Sequence, residues 1–236
     1  MAYRCEAASV EGFIQYLACN LVNKGYWFYV TGSIPERKSV QTVDRKLVEL
    51  YGLNLSKWAR ARRKAQGKAN VAYLRYERFF ILLATQGAHP LFEREGHVRD
   101  IRRQPIQFHG YSIGCSKGGD GRYHASVKIH ADAYRLLESS LLAAAVHRSK
   151  DYIEHQLRAI QFVPYARVRR QLLKCVKTIN VARQTAGFDP VSHSVLNLRR
   201  QIVRVFTEDG TDGSEDGSFP GTAISNIVDG KEFVVK

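Results

Sequence analysis

The chain has 236 residues, of which 44% are apolar and 25% charged, a composition typical of folded globular proteins rather than disordered ones. No run of 18 apolar residues occurs, so the sequence predicts no transmembrane helix and no membrane partner. The 36 Lys and Arg against 22 Asp and Glu give a net charge of +14, which favours a polyanionic partner, with nucleic acid the usual one.

The cysteine pattern argues against a disulfide framework and against a zinc cluster. The four cysteines are Cys5, Cys19, Cys115 and Cys175. No two of them have the Cys-x-x-Cys spacing of a metal site, and the first residues, which include Glu6 and Glu11, do not resemble a secretory signal peptide. We therefore expect reduced thiols that are mostly buried, no metal, no cofactor and a cytoplasmic location.

The first third of the chain has mainly helical patterns. Residues 10–24 carry apolar side chains at three-to-four spacing after a candidate N-cap, Ser9. The aromatic and β-branched run at residues 26–31 predicts a strand. A second helix is predicted for residues 40–51, and a short, strongly basic third helix follows Ser56.

The middle of the chain has patterns typical of antiparallel strands. We predict strands at residues 70–76, 78–85, 105–115 and 122–130. The last two flank the glycine-rich segment 117–121, which lacks the Gly-Lys-Ser/Thr ending of a nucleotide-binding loop and predicts a hairpin tip.

Helical patterns return after this sheet. We predict helices at residues 133–147, 151–160 and 165–186, and a final strand at 195–205. The segment 208–218 is acidic and rich in glycine, which is typical of a disordered linker. The apolar residues of the first of these helices that we expect in the core are Leu136, Leu137, Leu141, Leu142 and Val146.

These elements together predict an α+β fold, with a small antiparallel sheet packed against helices. The run GYWFYVTGSIP, followed by a helix and paired strands, is similar in element order, though not in motif, to the ferredoxin-like cores of replication initiators and RNA-processing proteins. We predict an α+β domain at residues 1–131, a helical part packed on it at 132–206, and an acidic flexible tail at 207–236. Without that tail the chain has 34 basic and 15 acidic residues, a net charge of +19.

The basic helix after Ser56 is the first candidate contact for nucleic acid. Its six cations occur without an acid, and Trp58 lies among them, able to stack on a base. A solvated helix face with Trp58 packed inward is an equally good interpretation. The candidate residues are Lys57, Trp58, Arg60, Arg62, Arg63 and Lys64.

The helix predicted from Tyr165 is the second candidate. No acid occurs between Glu154 and Asp189, whereas an ordinary exposed helix mixes charges of both signs. Phosphate contact is therefore favoured over a solvated face. The cations at three-to-four spacing on one face are Arg167, Arg170, Lys174 and Lys177, and the apolar residues of the opposite face are Val168, Leu172, Val176 and Ile179. Two arginine pairs, Arg102-Arg103 and Arg199-Arg200, are weaker candidates.

Catalytic arrangements are poorly supported by the sequence. A rolling-circle nickase needs a His-x-His pair for its metal, and none occurs; Tyr123-His124 is the nearest approach, and His130 is six residues along, roughly 20 Å on a strand. A metal-independent ribonuclease would use His109 opposite His124 as general acid and base, if the strands at 105–130 pair as one hairpin. Plain strand histidines are the commoner interpretation.

The sequence thus favours a DNA- or RNA-binding protein, serving a mobile element or replicon, whose basic helices contact phosphates. The sheet, with Tyr111, Tyr123 and His124, would face the bases, and the acidic tail would compete for the basic surface. A nuclease is one alternative. The other is an assembly protein that binds an acidic protein partner.

Overall fold

The computed structural model describes residues 3–206 and confirms an α+β fold. The α-helices are α1 (Val10–Gln15), α2 (Val40–Leu50), α3 (Lys57–Ala65), α4 (Leu91–Arg94), α5 (Ala131–Ala145), α6 (Lys150–Arg158) and α7 (Ala166–Thr185). The strands are β1 (Phe28–Ser33), β2 (Val71–Tyr76), β3 (Phe79–Ala84), β4 (Arg99–Asp100), β5 (Ile106–Phe108), β6 (Tyr111–Lys117) and β7 (Tyr123–Ile129).

The start of the first helix follows the sequence signals, but its middle departs from α-helical geometry. Ser9 caps α1 by accepting a hydrogen bond from the Gly12 N–H. The helix continues through a π-helical segment, Tyr16–Leu21, and a 3₁₀ turn, Val22–Lys24. It ends at Gly25, whose φ of 90° is the left-handed conformation that glycine adopts at helix ends.

The first sheet has the strand order β2-β3-β1-β4, and every neighbouring pair is antiparallel. This is the order of two interlocked split β-α-β units, as in ferredoxin-like sheets. The second of these β-α-β units is short, because α4 is a single turn and β4 has two residues. The likeness to a ferredoxin-like core is therefore one of strand order.

Strands β2 and β3 of the first sheet are buried on both faces. Val71 and Tyr73 of β2 pack beneath α2, whereas Ala72 and Leu74 face the larger core cluster on the other side. Strands covered on both faces have continuous apolar sequences instead of alternating ones. This explains the mostly apolar sequences of β2 and β3, in which Arg75 is the one charged residue.

The second sheet is an antiparallel meander of β5, β6 and β7. The prediction of one strand at residues 105–115 is wrong, because the chain reverses at His109 and Gly110. Both residues have positive φ, 44° and 75°, which allows a two-residue turn between β5 and β6. The structure therefore has two antiparallel strands where one was predicted, and it has two antiparallel sheets in all.

Helix α7 packs its predicted apolar face against the second sheet and α5, with Val168, Leu172, Val176 and Ile179 all buried. On α5 only part of the expected core is confirmed. Leu141 is buried, but Leu136 and Val146 are 64% and 45% exposed. Leu136 and Val146 lie outside the side of α5 that packs against α6 and α7, so their side chains are in contact with solvent. The larger core cluster includes residues from both sides of residue 131.

The strand predicted at residues 195–205 is wrong. A 3₁₀ turn, His193–Val195, is followed by a segment without regular structure up to Phe206. The side chain of Gln15 bonds both the N–H and the carbonyl of Val203, so a side chain takes the place of a partner strand. The predicted acidic tail lies outside the described residues. No helix in residues 3–206 has the length and apolar character needed to cross a bilayer.

Candidate nucleic-acid interface

Helix α3 presents a basic surface with an exposed indole. Ser56 caps the helix by accepting the Ala59 N–H, and the side chains of Lys57, Arg62 and Lys64 are exposed. Trp58 is 80% exposed. The interpretation in which this tryptophan packs inward is therefore wrong, and its ring is free to accept a stacked base.

Two other cations of α3 hold the helix in place. Arg60 donates to the Leu53 carbonyl oxygen at 3.4 Å, and Arg63 donates to the Ala69 carbonyl oxygen at 3.1 Å. The Asn70 amide in turn donates to the carbonyl of Arg60 at 3.0 Å. These guanidinium groups attach α3 to the loops at its two ends, which leaves fewer free cations than the sequence suggests.

Helix α7 presents a row of exposed cations opposite its buried face: Arg167, Arg170, Lys174 and Lys177. No acid occurs in the helix, and within residues 3–206 none of these four cations pairs with a carboxylate. A surface row of like charges is unfavourable in the free protein, since charges three or four residues apart repel.

The first turn of α7 borders a cavity of about 490 Å³, here called the arginine cavity. Its other wall is the outer edge of β7 and the segment around residue 200, and no carboxylate lines it. The guanidinium of Arg200 lies 4.9 Å from the centre of the Tyr165 ring, a cation–π contact that orients it. The four arginines that line the cavity are Arg167, Arg169, Arg170 and Arg200.

Backbone donors add to the positive character of the arginine cavity. No side chain caps the start of α7, so the N–H groups of its first turn, residues 166–168, have no partner within the helix. On β7, Ala125 N–H bonds the Asn23 side chain and Ile129 N–H bonds the Gln171 side chain, both at the outer edge. Because ladder bonds alternate along an antiparallel strand, the N–H of Val127 between them also points outwards, at the cavity. Charged and neutral donors thus converge on one anion-sized space.

The weaker arginine candidates are dispersed. Arg102 makes a bidentate ion pair with Asp100, with distances of 2.6–3.1 Å, and its guanidinium lies 4.5 Å from the centre of the Trp27 ring. Hydrogen bonds from Arg102 hold the pKa of the Asp100 carboxyl below its usual range. Arg103 and Arg199 are exposed, and neither lines the arginine cavity. Of these candidates, only Arg200 joins the α7 cations.

The predicted histidine pair does not form. Strand β7 pairs with β6 so that His124 lies opposite Ser116, while His109 lies in the turn beyond Tyr111. Five residue positions, about 17 Å along the strand, separate those two ends of β6. The prediction of His109 opposite His124 is therefore wrong, and the ribonuclease hypothesis loses its acid–base pair.

The remaining predicted catalytic residues do not assemble a site either. The Nε2 atom of His124 lies 2.9 Å from the Asp120 carboxylate at the exposed hairpin tip, and this hydrogen bond lowers the pKa of Asp120. Tyr123 is on the opposite face of the strand and packs against Trp27. Tyr111, expected to face bases, is buried and accepts the Val163 N–H. Within the described residues no three His, Cys, Asp or Glu side chains form a group able to hold a metal ion.

Two of the cysteines, Cys5 and Cys175, lack thiolate character. Cys5 and Cys175 are buried, Cys19 and Cys115 are half-buried, and none is in a disulfide. Burial raises the pKa of the Cys5 thiol to about 12 and that of Cys175 to about 11. These two side chains therefore behave as apolar core residues at neutral pH.

No family model, curated protein or solved structure matches the chain. The features of this chain that bear on function are those of its surface, and the arginine cavity is the most densely charged of them.

Arg169 is the main residue that sequence reasoning missed. Arg169 is on a different side of α7 from the row at residues 167, 170, 174 and 177. It lines the cavity because the edge of β7 and Arg200 lie next to this side of the helix. The sequence signal that was present is the triplet of arginines at 167, 169 and 170 directly after Pro164-Tyr165, a dense cluster at the start of a helix.

Proposed function

We propose that the protein binds nucleic acid by its phosphate backbone, with the arginine cavity and the exposed cation row of α7 as the contact surface. One observation carries this proposal: four arginines and the uncapped start of a 20-residue helix surround one cavity that has no carboxylate in its lining. Guanidinium groups bind phosphates in a bidentate manner, and helix N-termini stabilise anions. A phosphate group suits both features.

The length of the cation row favours a polymer over a single small anion. From Arg167 to Lys177 the helix rises about 15 Å, which equals the axial rise of about four base pairs. A small anion would occupy the arginine cavity and leave Lys174 and Lys177 without a partner. A nucleic-acid strand offers phosphates at regular intervals along the whole row.

A membrane surface fits this helix less well. Helices that bind at a bilayer surface insert an apolar face into the lipid. The main apolar face of α7, with Val168, Leu172 and Ile179, is buried in the protein core and is not available to lipid. The exposed large apolar residues of α7 are Leu173 and Val181, which is less than the continuous apolar face that a bilayer-bound helix inserts.

The exposed Trp58 on α3 favours an unpaired strand. Indole rings that lie among cations stack on exposed bases, and every base has a face that can be stacked. A duplex keeps its bases stacked on each other and offers Trp58 only its backbone and grooves. We propose single-stranded nucleic acid as the preferred ligand on this ground.

The test is a salt series with matched charge variants. Fluorescence anisotropy of a labelled single-stranded oligonucleotide gives Kd at several salt concentrations for the wild type, for Arg167→Gln/Arg170→Gln, and for Arg135→Gln/Arg158→Gln. The control pair removes the same charge from arginines that already pair with Asp132 and Glu154.

Each lost phosphate contact should reduce the slope of log Kd against log salt by about 0.7 for a single strand. We expect the α7 variant to lose about 1.4 from the slope and the control variant to keep the wild-type slope. Equal slopes in both variants would show that the charge effect is not local. The absence of any binding by the wild type at low salt would overturn the proposal.

A further inference from the structure

A second basic cavity lies between the two sheets and shares no lining residue with the arginine cavity. Its volume is about 420 Å³, and we call it the inter-sheet cavity. Its basic groups come from three different elements: Arg99 from β4, Lys128 from β7, and His130 from the residue before α5. No carboxylate lines it.

A serine hydroxyl group also lines this cavity. Ser112 of β6 lines the inter-sheet cavity and is only 5% exposed. A serine hydroxyl can donate a hydrogen bond, so a ligand oxygen is a suitable partner for this group.

The hydrogen bonding of His130 sets which ring nitrogen can donate. Its Nδ1 accepts the Asp132 N–H at 3.4 Å, so in the neutral ring the proton lies on Nε2. The Asp132 carboxylate is 3.6 Å from Nδ1 and also forms an ion pair with Arg135. The neighbouring acid is thus shared with another cation, and Nε2–H remains a donor for a ligand.

We propose that the inter-sheet cavity binds a phosphate monoester, which is the terminal phosphate of a nucleic-acid strand. A monoester carries up to two charges and three free oxygens, which matches two permanent cations, one imidazole and the hydroxyl of Ser112. A phosphodiester inside a strand continues on both sides, and a recess between two sheets suits a chain end. The assignment to a strand end rests on the proposed nucleic-acid binding. The assignment to a phosphate monoester rests only on the residues that line the cavity.

The test compares oligonucleotides that differ only at their ends. Binding of the full-length protein is measured by anisotropy with strands that carry a 5′-phosphate, a 3′-phosphate or hydroxyls at both ends. A nucleoside monophosphate and its parent nucleoside are measured by calorimetry in parallel. The variants are Arg99→Gln and Lys128→Gln, with Lys174→Gln on α7 as the control of equal charge.

We expect one end phosphate to tighten binding about tenfold or more, since charge-assisted hydrogen bonds to phosphate are strong. Arg99→Gln and Lys128→Gln should remove this gain and leave the affinity for hydroxyl-ended strands unchanged. Lys174→Gln should weaken binding of all strands equally and keep the gain. The two cavity residues are exposed, and circular dichroism will confirm that the variants fold.

Failure of this inference and failure of the proposed function give different results. If all strands bind with the same affinity and the nucleoside monophosphate does not bind, the inter-sheet cavity is not a phosphate site. If no strand binds but the monophosphate does, and Lys128→Gln abolishes it, the cavity is confirmed as a monoester site. The proposed nucleic-acid binding is then wrong.

Discussion

The replacement Trp58→Ala tests the role of α3 with little risk to the fold. The indole is 80% exposed, so its removal should change the free energy of unfolding by about 0.5 kcal/mol or less. Base stacking on an aromatic side chain contributes about 1–3 kcal/mol per base. If Trp58 stacks on one base, Trp58→Ala should weaken binding of a single strand by about 5- to 140-fold.

The assay combines affinity with intrinsic fluorescence. The chain has two tryptophans, and Trp27 is half-buried beneath the guanidinium of Arg102. A single strand should quench the emission of Trp58 in the wild type, whereas the remaining emission of Trp58→Ala should not respond. Trp58→Phe retains a ring and should recover part of the lost affinity.

Comparison with duplex separates stacking from charge. At equal salt, Trp58→Ala should affect duplex binding much less than single-strand binding, because the bases of a duplex are already stacked. Unchanged affinity for single strands in Trp58→Ala would refute the reasoning. An equal loss for single strands and duplex would instead assign Trp58 a general contact role and remove the preference for single strands.

Three further predictions concern stability and the tail. Arg183 is 1% exposed and donates to the carbonyls of Asp189, Ala145 and Arg148. The replacement Arg183→Met leaves these three acceptors without a donor. It should lower the free energy of unfolding, measured in urea, by about 3 kcal/mol or more. Burial lowers the pKa of His89, so the neutral form is favoured in the native state. The stability that the neutral His89 contributes is present above about pH 6.5 and is lost as pH falls through the lowered pKa. Urea titrations from pH 7.5 to 5 should therefore show a smaller loss of unfolding free energy in His89→Gln than in the wild type. Deletion of residues 207–236, which removes seven acids and two lysines, should tighten non-specific binding in the anisotropy assay; unchanged affinity would exclude competition by the tail.

The fold was predictable where the determinants are local. Three-to-four spacing identified both the buried and the charged faces of α7, and Ser56 marked the start of α3. The strand run at 105–115 was divided wrongly, because the turn depends on positive φ at His109, a residue type that sequence patterns do not associate with hairpins. That turn makes β5 and β6 two antiparallel strands of the second sheet in place of the one strand expected.

The candidate site was predictable only in its helical part. Cation spacing along α7 is a local property, but the arginine cavity requires the β7 edge and Arg200 to meet the first turn of that helix. The inter-sheet cavity joins Arg99 and Lys128, which are far apart in sequence and meet only through the packing of two sheets. Composition also overstated how many cations of α3 are available to a ligand, because the guanidinium groups of Arg60 and Arg63 already donate to backbone carbonyls.

The cation row of α7 is costly in the free protein, and that cost gives a last prediction. Arg167/Arg170, Arg170/Lys174 and Lys174/Lys177 are like-charge pairs three or four residues apart, each unfavourable by about 0.2–0.5 kcal/mol. Arg75, in contrast, lies buried between Asp44 and Glu6, so the protein does pair its cations where structure requires it.

A polyanion that binds the native state removes this repulsion and adds its own binding free energy, which raises Tm with ligand concentration. A single-stranded homopolymer should therefore raise Tm at low salt, and the rise should shrink in Arg167→Gln/Arg170→Gln. An equal rise in that variant would mean that the row is not where the polyanion binds.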